Sequence, residues 1–422
     1  MSAIYVHPEH AGADAATLST ALAMAQEGDV VLVGPGVYSP SRTGEVLPLR
    51  IPTGVAVEGA GSERCIVDGE RLFEPSFGPI RPDLAVVVLG DGSRLSGVEV
   101  TNGGGHGIGA PPSISATVQD CAITRHGDHG VFLCGVDQAV IVGCTFRDNG
   151  LKRFRPSLPR GTGSPQQGHQ IFAEARHGQR NRLVIADNTM HGCFADGVAF
   201  VCFYPEPDGV TFEATIVRNT VEASGRGGLL FACSFGPSAN HQRIVATGNV
   251  LRDNRQYGIQ AVVASPHADP VPRGNRLDAL FAANEIVGNP IGIFVRGAGG
   301  ECRQNVGDVV IDRNTISTTE RHAIRVVGAI GVDGVETADN VLRVALSRNV
   351  LSGSLPAVAI QAAASVPGST THGNVVSLRL LENAVGGAPE QAFAVSDGSE
   401  GNRVEVEAGG QGYSRTSEDV LG

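Results

Sequence analysis

The chain has 422 residues, a net charge of −11, 57 Gly and no Trp. That charge argues against nucleic acid and anionic membrane surfaces as partners, and no stretch approaches the ~18 apolar residues of a membrane span. Length alone would suit two or three domains, but a repeat that runs almost end to end points instead to one extended core.

In chain order, Ile4-Tyr5-Val6 predicts a strand. Asp14 then precedes Leu18, Ala21, Leu22 and Ala25 at helical spacing, and Gly28 stops the run. Residues 1–27 are therefore expected to form a strand and a short helix. Met1-Ser2-Ala3 leads straight into the strand with neither a charged n-region nor an apolar h-region, so a cytoplasmic location is expected. The eight cysteines, Cys65, Cys121, Cys134, Cys144, Cys193, Cys202, Cys233 and Cys302, follow neither a metal spacing nor a small disulfide framework. They read as reduced, buried thiols.

From Gly28 the same short context keeps returning. Val98-Glu99-Val100, Asp120-Cys121-Ala122-Ile123 and Gly143-Cys144-Thr145-Phe146 follow one another at 23 residues. An Asn then takes the position of the cysteines, at Asn188, Asn219, Asn249, Asn284, Asn314, Asn349 and Asn383, with spacings of 31, 30, 35, 30, 35 and 34. A β-branched run leads into each Asn, as in Val309-Val310-Ile311. The Asn is placed at a bend, where its side chain can bond backbone and it tolerates left-handed dihedrals. A short strand, a polar turn and a Gly- or Ala-led strand follow, such as Gly130-Val131-Phe132-Leu133 or Ala323-Ile324-Arg325-Val326. No segment of the repeat has a helical period. Three short strands per ~23-residue turn, stacked ~4.8 Å apart, make a parallel β-helix, with the Asn side chains in a hydrogen-bonded ladder.

This pattern resembles the right-handed parallel β-helix family typified by pectate lyase, over roughly residues 28–408. The resemblance implies an all-β solenoid with an N-terminal capping helix: 1–27 strand and helix, 28–408 a single β-helix domain, and 409–422 a C-terminal cap or tail. It carries no catalytic residue across. The Asp clusters of the family's calcium lyases and hydrolases and the Asp-Pro-His element of alginate epimerases are absent.

Two kinds of insertion interrupt the coils. Return loops at 203–213, 234–242, 264–276, 297–306, 328–340 and 364–374 leave after the same strand and should form one wall. A single insertion at 151–168 carries Lys152, Arg153, Arg155 and Arg160 with no acid. Long irregular loops on a regular scaffold are often functional.

Aligning the coils on the residue before the Gly-led strand gives a column of His106, His129, His169 and Asp196. Arg226, Arg255 and Tyr257 fall within one or two positions of it on later coils, Arg125, His126 and Asp128 lie beside it, and Glu174 is on the coil of His169. These are the candidate catalytic residues (His106, His129, His169, Asp196, Arg226, Tyr257) and substrate-binding residues (Arg125, Asp128, Lys152, Arg153, Arg155, Glu174, Arg255). Abstracting a proton beside a carboxylate needs a base and a cation, which His, Tyr and Arg supply. The expectation is a lyase, epimerase or isomerase acting on a carbohydrate or uronate in an open groove. An enzyme of a small metabolite or a non-catalytic binding module are the alternatives. No nucleotide or organic cofactor is implied. A divalent metal held by His106, His129, His169 and Asp196 stays open, as does an oligomer.

Overall fold

The computed structural model describes residues 2–72, 81–151, 168–175, 178–203, 208–235, 238–265, 271–331, 336–353, 356–364, 369–386, 393–397, 401–409 and 414–416. They fall into two compact units: one of residues 1–174 with 181–198, the other of 175–180 with 199–422. Each is a parallel β-solenoid whose coils, apart from the terminal ones, give one strand to each of three sheets.

In the first unit, the first sheet runs through Ala3–Val6, Val30–Val33, Ala56–Gly59, Ser93–Ser96, Ser115–Gln119 and Gln138–Val142 to Arg180–Ala186. The third sheet, which carries the His column, stacks Ala85–Val88, His106–Ala110, Val131–Cys134 and Ile171–Glu174. The expected strand and helix are present, the helix spanning Leu18–Met24 and burying Leu18, Ala21 and Leu22 against the first strands. Its cap is not Asp14, whose carboxylate accepts the Tyr5 N–H at 2.8 Å. Thr17 caps it, and Glu45 accepts the Leu18 and Ser19 N–H groups at 2.9 and 2.8 Å. A buried acid thus meets the helix's orphan donors and its positive end.

The second unit repeats this plan with longer strands. Its core stacks in register, with aliphatic rows such as Leu251, Ile286, Ile316, Leu351 beside the buried rings of Phe200, Phe212, Phe231 and Phe281. The Asn ladder forms as expected. Each Asn Oδ1 from Asn249 to Asn383 accepts both the backbone and side-chain N–H of the Asn one coil earlier, at 2.8–3.1 Å. The left-handed residue is the one before the Asn, for example Ala283, Arg313 and Arg348. A second, unforeseen ladder runs through Asn240, Asn275, Asn305, Asn340, Asn374 and Asn402 at the turn into the first sheet. A third, shorter one joins Ser224, Asn254 and Asn289. Parts of two return loops pair as a small parallel sheet, Glu336–Ala338 with Thr370–His372. Of the 409–422 tail, Ser414–Thr416 adds a strand beside Phe393–Ser396. All eight cysteines are buried, and among the described residues no helix is long and apolar enough to cross a membrane.

Candidate functional site

The column is real. Ile108 pairs with Val131 and Val131 with Ile171, which puts His106, His129 and His169 on successive coils. The Gln170 N–H donates to the Asp196 carbonyl, continuing the column through Asp196. The imidazoles of His106 and His129 stack at 5.1 Å and 8°, and those of His129 and His169 at 5.4 Å and 26°. Phe132 and Phe172, themselves in register, pack against them, with His129 4.8 Å from Phe172 and His106 5.0 Å from Phe132.

The face this cluster occupies follows from Gly109. A Cβ there would meet the Pro82 carbonyl, which precedes the strands of the third sheet. Gly109 is in register with Phe132 and Phe132 with Phe172, and partners in register share a face, so the two rings and the imidazoles stacked on them lie on the outer side of the third sheet. Even so, His129, His169 and Asp196 are 0% exposed, His106 1% and Asp128 4%. Among the described residues these five side chains are buried and face no open groove, contrary to the expectation.

Burial decides the charge states. It pushes the His106 imidazole down to about 3, against the opposing pull of Asp128, and holds His129 well below its usual range, helped by His169. Hydrogen bonds fix the tautomers. His129 Nδ1 accepts the His169 N–H at 3.3 Å, and His169 Nδ1 accepts the Asp196 N–H at 3.2 Å. Both rings therefore carry their proton on Nε2. The Asp128 carboxylate sits between two rings, with His106 Nδ1 3.7 Å from one oxygen and His129 Nε2 3.6 Å from the other. Neither nitrogen has a hydrogen-bond partner of good geometry among the described residues.

His106, Asp128 and His129 bring their ligand atoms within 4.8 Å of one another, which prompts the metal question. The arrangement does not fit a metal ion. A ligating nitrogen needs an in-plane lone pair, and His129 Nε2 holds the ring proton because Nδ1 is already an acceptor. Parallel His106 and His129 rings also cannot aim two in-plane lone pairs at one point.

The insertion at 151–168 meets this site through its described ends. Gly150 and Leu151 donate their N–H groups to the His126 carbonyl, and the Gly168 N–H donates to Asp128 Oδ1 at 3.3 Å. Gly150 and Gly168 lie so close that a Cβ on either would meet the other's Cα, and both have φ near +80–90° (+79° and +91°), where only Gly is unstrained. Lys152, Arg153 and Arg155 lie outside the described residues.

The remaining candidates divide. Arg125 is exposed and donates to Thr101 Oγ1 at 3.1 Å rather than joining the column. Glu174 is at the far end of its strand, in register with Cys134. Five residues at ~3.3 Å each separate it from His169. His126, not singled out as a site residue, is fully satisfied as a structural group. Its Nδ1 accepts the Gly103 N–H at 2.9 Å and its Nε2–H donates to the Val100 carbonyl at 3.0 Å, while burial pushes it down to about 3.

Arg226, Arg255 and Tyr257 belong to the second unit. Arg226 is half-buried, and its carbonyl accepts the Gln256 N–H at 2.7 Å. Tyr257 is 3% exposed and lies over Gly227, where a Cβ would come within 2.0 Å of its ring. Arg255 and Tyr257 help line an open pocket of about 400 Å³ with Gln260, Phe294, Arg321 and Arg325. Arg325 sets its guanidinium 5.1 Å over the Phe294 ring. Sequence reasoning missed Phe294, Arg321 and Arg325. Register with Gln260 was the available signal, since Gln260, Phe294 and Arg325 are partners across three coils.

Comparison with known proteins agrees with the fold. Residues 84–276 match the family model described as right handed beta helix region, and residues 11–150 match one described as a protein of unknown function, DUF1565. The catalytic unit of the GH87 α-1,3-glucanase from Streptomyces thermodiastaticus is 16% identical, with a TM-score of 0.59 over 96% of this chain and 67% of that one. The A-module of Azotobacter vinelandii mannuronan C-5 epimerase AlgE4 is 16% identical, with a TM-score of 0.42 over 95% and 94%. PfbA, a surface adhesin of Streptococcus pneumoniae, is 10% identical, with a TM-score of 0.42 over 87% and 85%. No curated protein sequence matches the chain.

Proposed function

We propose that this right-handed parallel β-helix protein of the pectate-lyase-like class is an enzyme acting on a carbohydrate or uronate by elimination or epimerisation. In this reading His106, Asp128, His129, His169 and Asp196 form its acid–base centre. The observation that carries it is the Asp128 carboxylate set between the ring nitrogens of two stacked, neutral histidines. An acid facing His106 Nδ1 orients that ring and stabilises its imidazolium, leaving Nε2 to take a proton. His129 and His169, held as Nε2–H tautomers, are donors that can return one. The similarity to a glucanase fold agrees with a carbohydrate substrate.

Burial of the column favours a second reading, a non-catalytic β-helix module whose ligand meets the open pocket of the second unit. The two separate in one experiment. The wild type, Asp128→Asn and His106→Gln are incubated with uronate oligomers and neutral glycans, and unsaturated ends, epimers and new reducing ends are followed by absorbance and NMR. Both substitutions keep side-chain size, so folding is checked by thermal melting. The enzyme reading expects turnover that falls by roughly 10²–10⁴-fold in each folded variant. Turnover unchanged by Asp128→Asn rules out this centre. A wild type that binds a glycan without converting it supports the binding module.

A further inference from the structure

The second unit contains a site of a different kind. Across the first sheet of that unit each arginine is matched. Arg243 pairs with Glu213 at 3.1 Å, Arg276 and Arg343 with Asp308 at 2.7 and 2.9 Å, and Arg403 with Glu405 at 3.0 Å. Such matching is what an acidic chain would be expected to show, with 43 acids to 32 bases. The pocket beside Phe294 departs from it. Arg255 and Arg321 are exposed, and neither makes an ion pair among the described residues. Arg325 is the third guanidinium, and Glu320 is the one carboxylate on the lining.

We infer that this pocket binds a monosaccharide-sized ligand carrying an oxyanion, a carboxylate or a phosphate ester. Its volume of about 400 Å³ suits one sugar ring with its substituent. Arg255 and Arg321 supply forked donors that take an oxyanion in two parallel hydrogen bonds. Phe294, with Arg325 on its ring, offers a flat apolar surface for the ring's C–H face, and Gln256 and Gln260 supply amides for hydroxyls. Glu320 sets the polarity requirement, because it penalises a second negative group and so selects against polyanions. This inference concerns binding alone and does not depend on the acid–base centre of the first unit.

The test titrates the full chain by calorimetry with glucuronate, glucose 6-phosphate and glucose at low salt. At least one anionic sugar is expected to bind about tenfold or more tightly than glucose, and the preferred anion identifies which oxyanion the site takes. The Arg255→Gln/Arg321→Gln double variant, altered only at exposed positions, should weaken that binding by about tenfold or more. Glu320→Gln should strengthen it several-fold, and Arg243→Gln, at a matched arginine, should leave it unchanged. Equal binding of glucose, an unaffected double variant, or no binding of either anion up to about 10 mM overturns the inference.

Discussion

The two units solve one structural problem with different side chains. At each tight turn a backbone N–H of one coil points at the next and needs a buried acceptor. In the second unit Asn supplies it at nearly every step. Asn284, for example, accepts two N–H groups from Asn249 and donates to the Ala246 carbonyl and to Asn314. In the first unit the acceptors are mixed. Asn188 serves Cys144 and Asn149 serves His126, but the Gly103, His169 and Asp196 N–H groups are accepted by Nδ1 of His126, His129 and His169. Asn is acceptor and donor at any ordinary pH, whereas an imidazole accepts only while neutral. The same backbone need is therefore met by a pH-independent device in one unit and a titratable one in the other.

The largest expected effect is that acid should undo the first unit before the second. His106 and His126 sit at about 3 in the fold against an ordinary 6.5, and His129 is lowered in the same direction. A depressed folded-state value means that the unfolded chain binds protons first. The stability contributed by neutral burial is then complete above about pH 6.5 and is lost as pH falls towards 3. Hydrogen exchange followed between pH 7 and 4 should show protection falling in residues 98–149 while residues 276–316, a stretch of the Asn ladder without a histidine, hold. Parallel loss in both stretches would remove the distinction between the units.

A smaller effect is expected from breaking one rung of the uniform ladder. Asn284→Ala removes four hydrogen bonds and strands the Asn249 backbone and side-chain donors in a buried setting. A loss of roughly 2–4 kcal/mol in urea unfolding is expected at pH 7, with little change at pH 5. A loss that grows steeply on acidification would mean that the Asn ladder is not the pH-independent partner in the comparison.

Much of this was legible in the sequence. The register of His106, His129 and His169 could be read because each begins a short strand at the same offset, and the 151–168 insertion did not shift it. The second Asn ladder was equally visible in Gly274-Asn275, Gln304-Asn305, Asp339-Asn340 and Gly373-Asn374, each a left-handed residue followed by Asn at a strand start. It repeats the signal used for the first ladder at another corner of the coil. Burial of the column could not be read, because which face a corner residue presents, and whether anything covers it, depend on residues remote in sequence. Nor could the tautomers, which rest on single N–H directions at the turns. Arg255 and Tyr257 looked like parts of the column because a spacing count cannot tell a buried ring from an exposed guanidinium two positions away.

The finest test exchanges the devices. His126 occupies, in the first unit, the kind of turn position where Asn254 and Asn289 sit in the second, and its backbone N–H already donates to an Asn Oδ1. His126→Asn keeps an acceptor in reach of the Gly103 N–H and a donor in reach of the Val100 carbonyl while removing the titratable ring. Asn is smaller, so a cost of about 1–2 kcal/mol is expected at pH 7 from imperfect filling of the space. Below pH 6 the variant should close on the wild type, because it no longer forfeits the neutral-imidazole contribution. Chemical unfolding of both proteins at pH 7 and pH 5 measures the change in that difference. A gap that stays constant across pH would show that His126 fills space at the turn but does not couple it to protons.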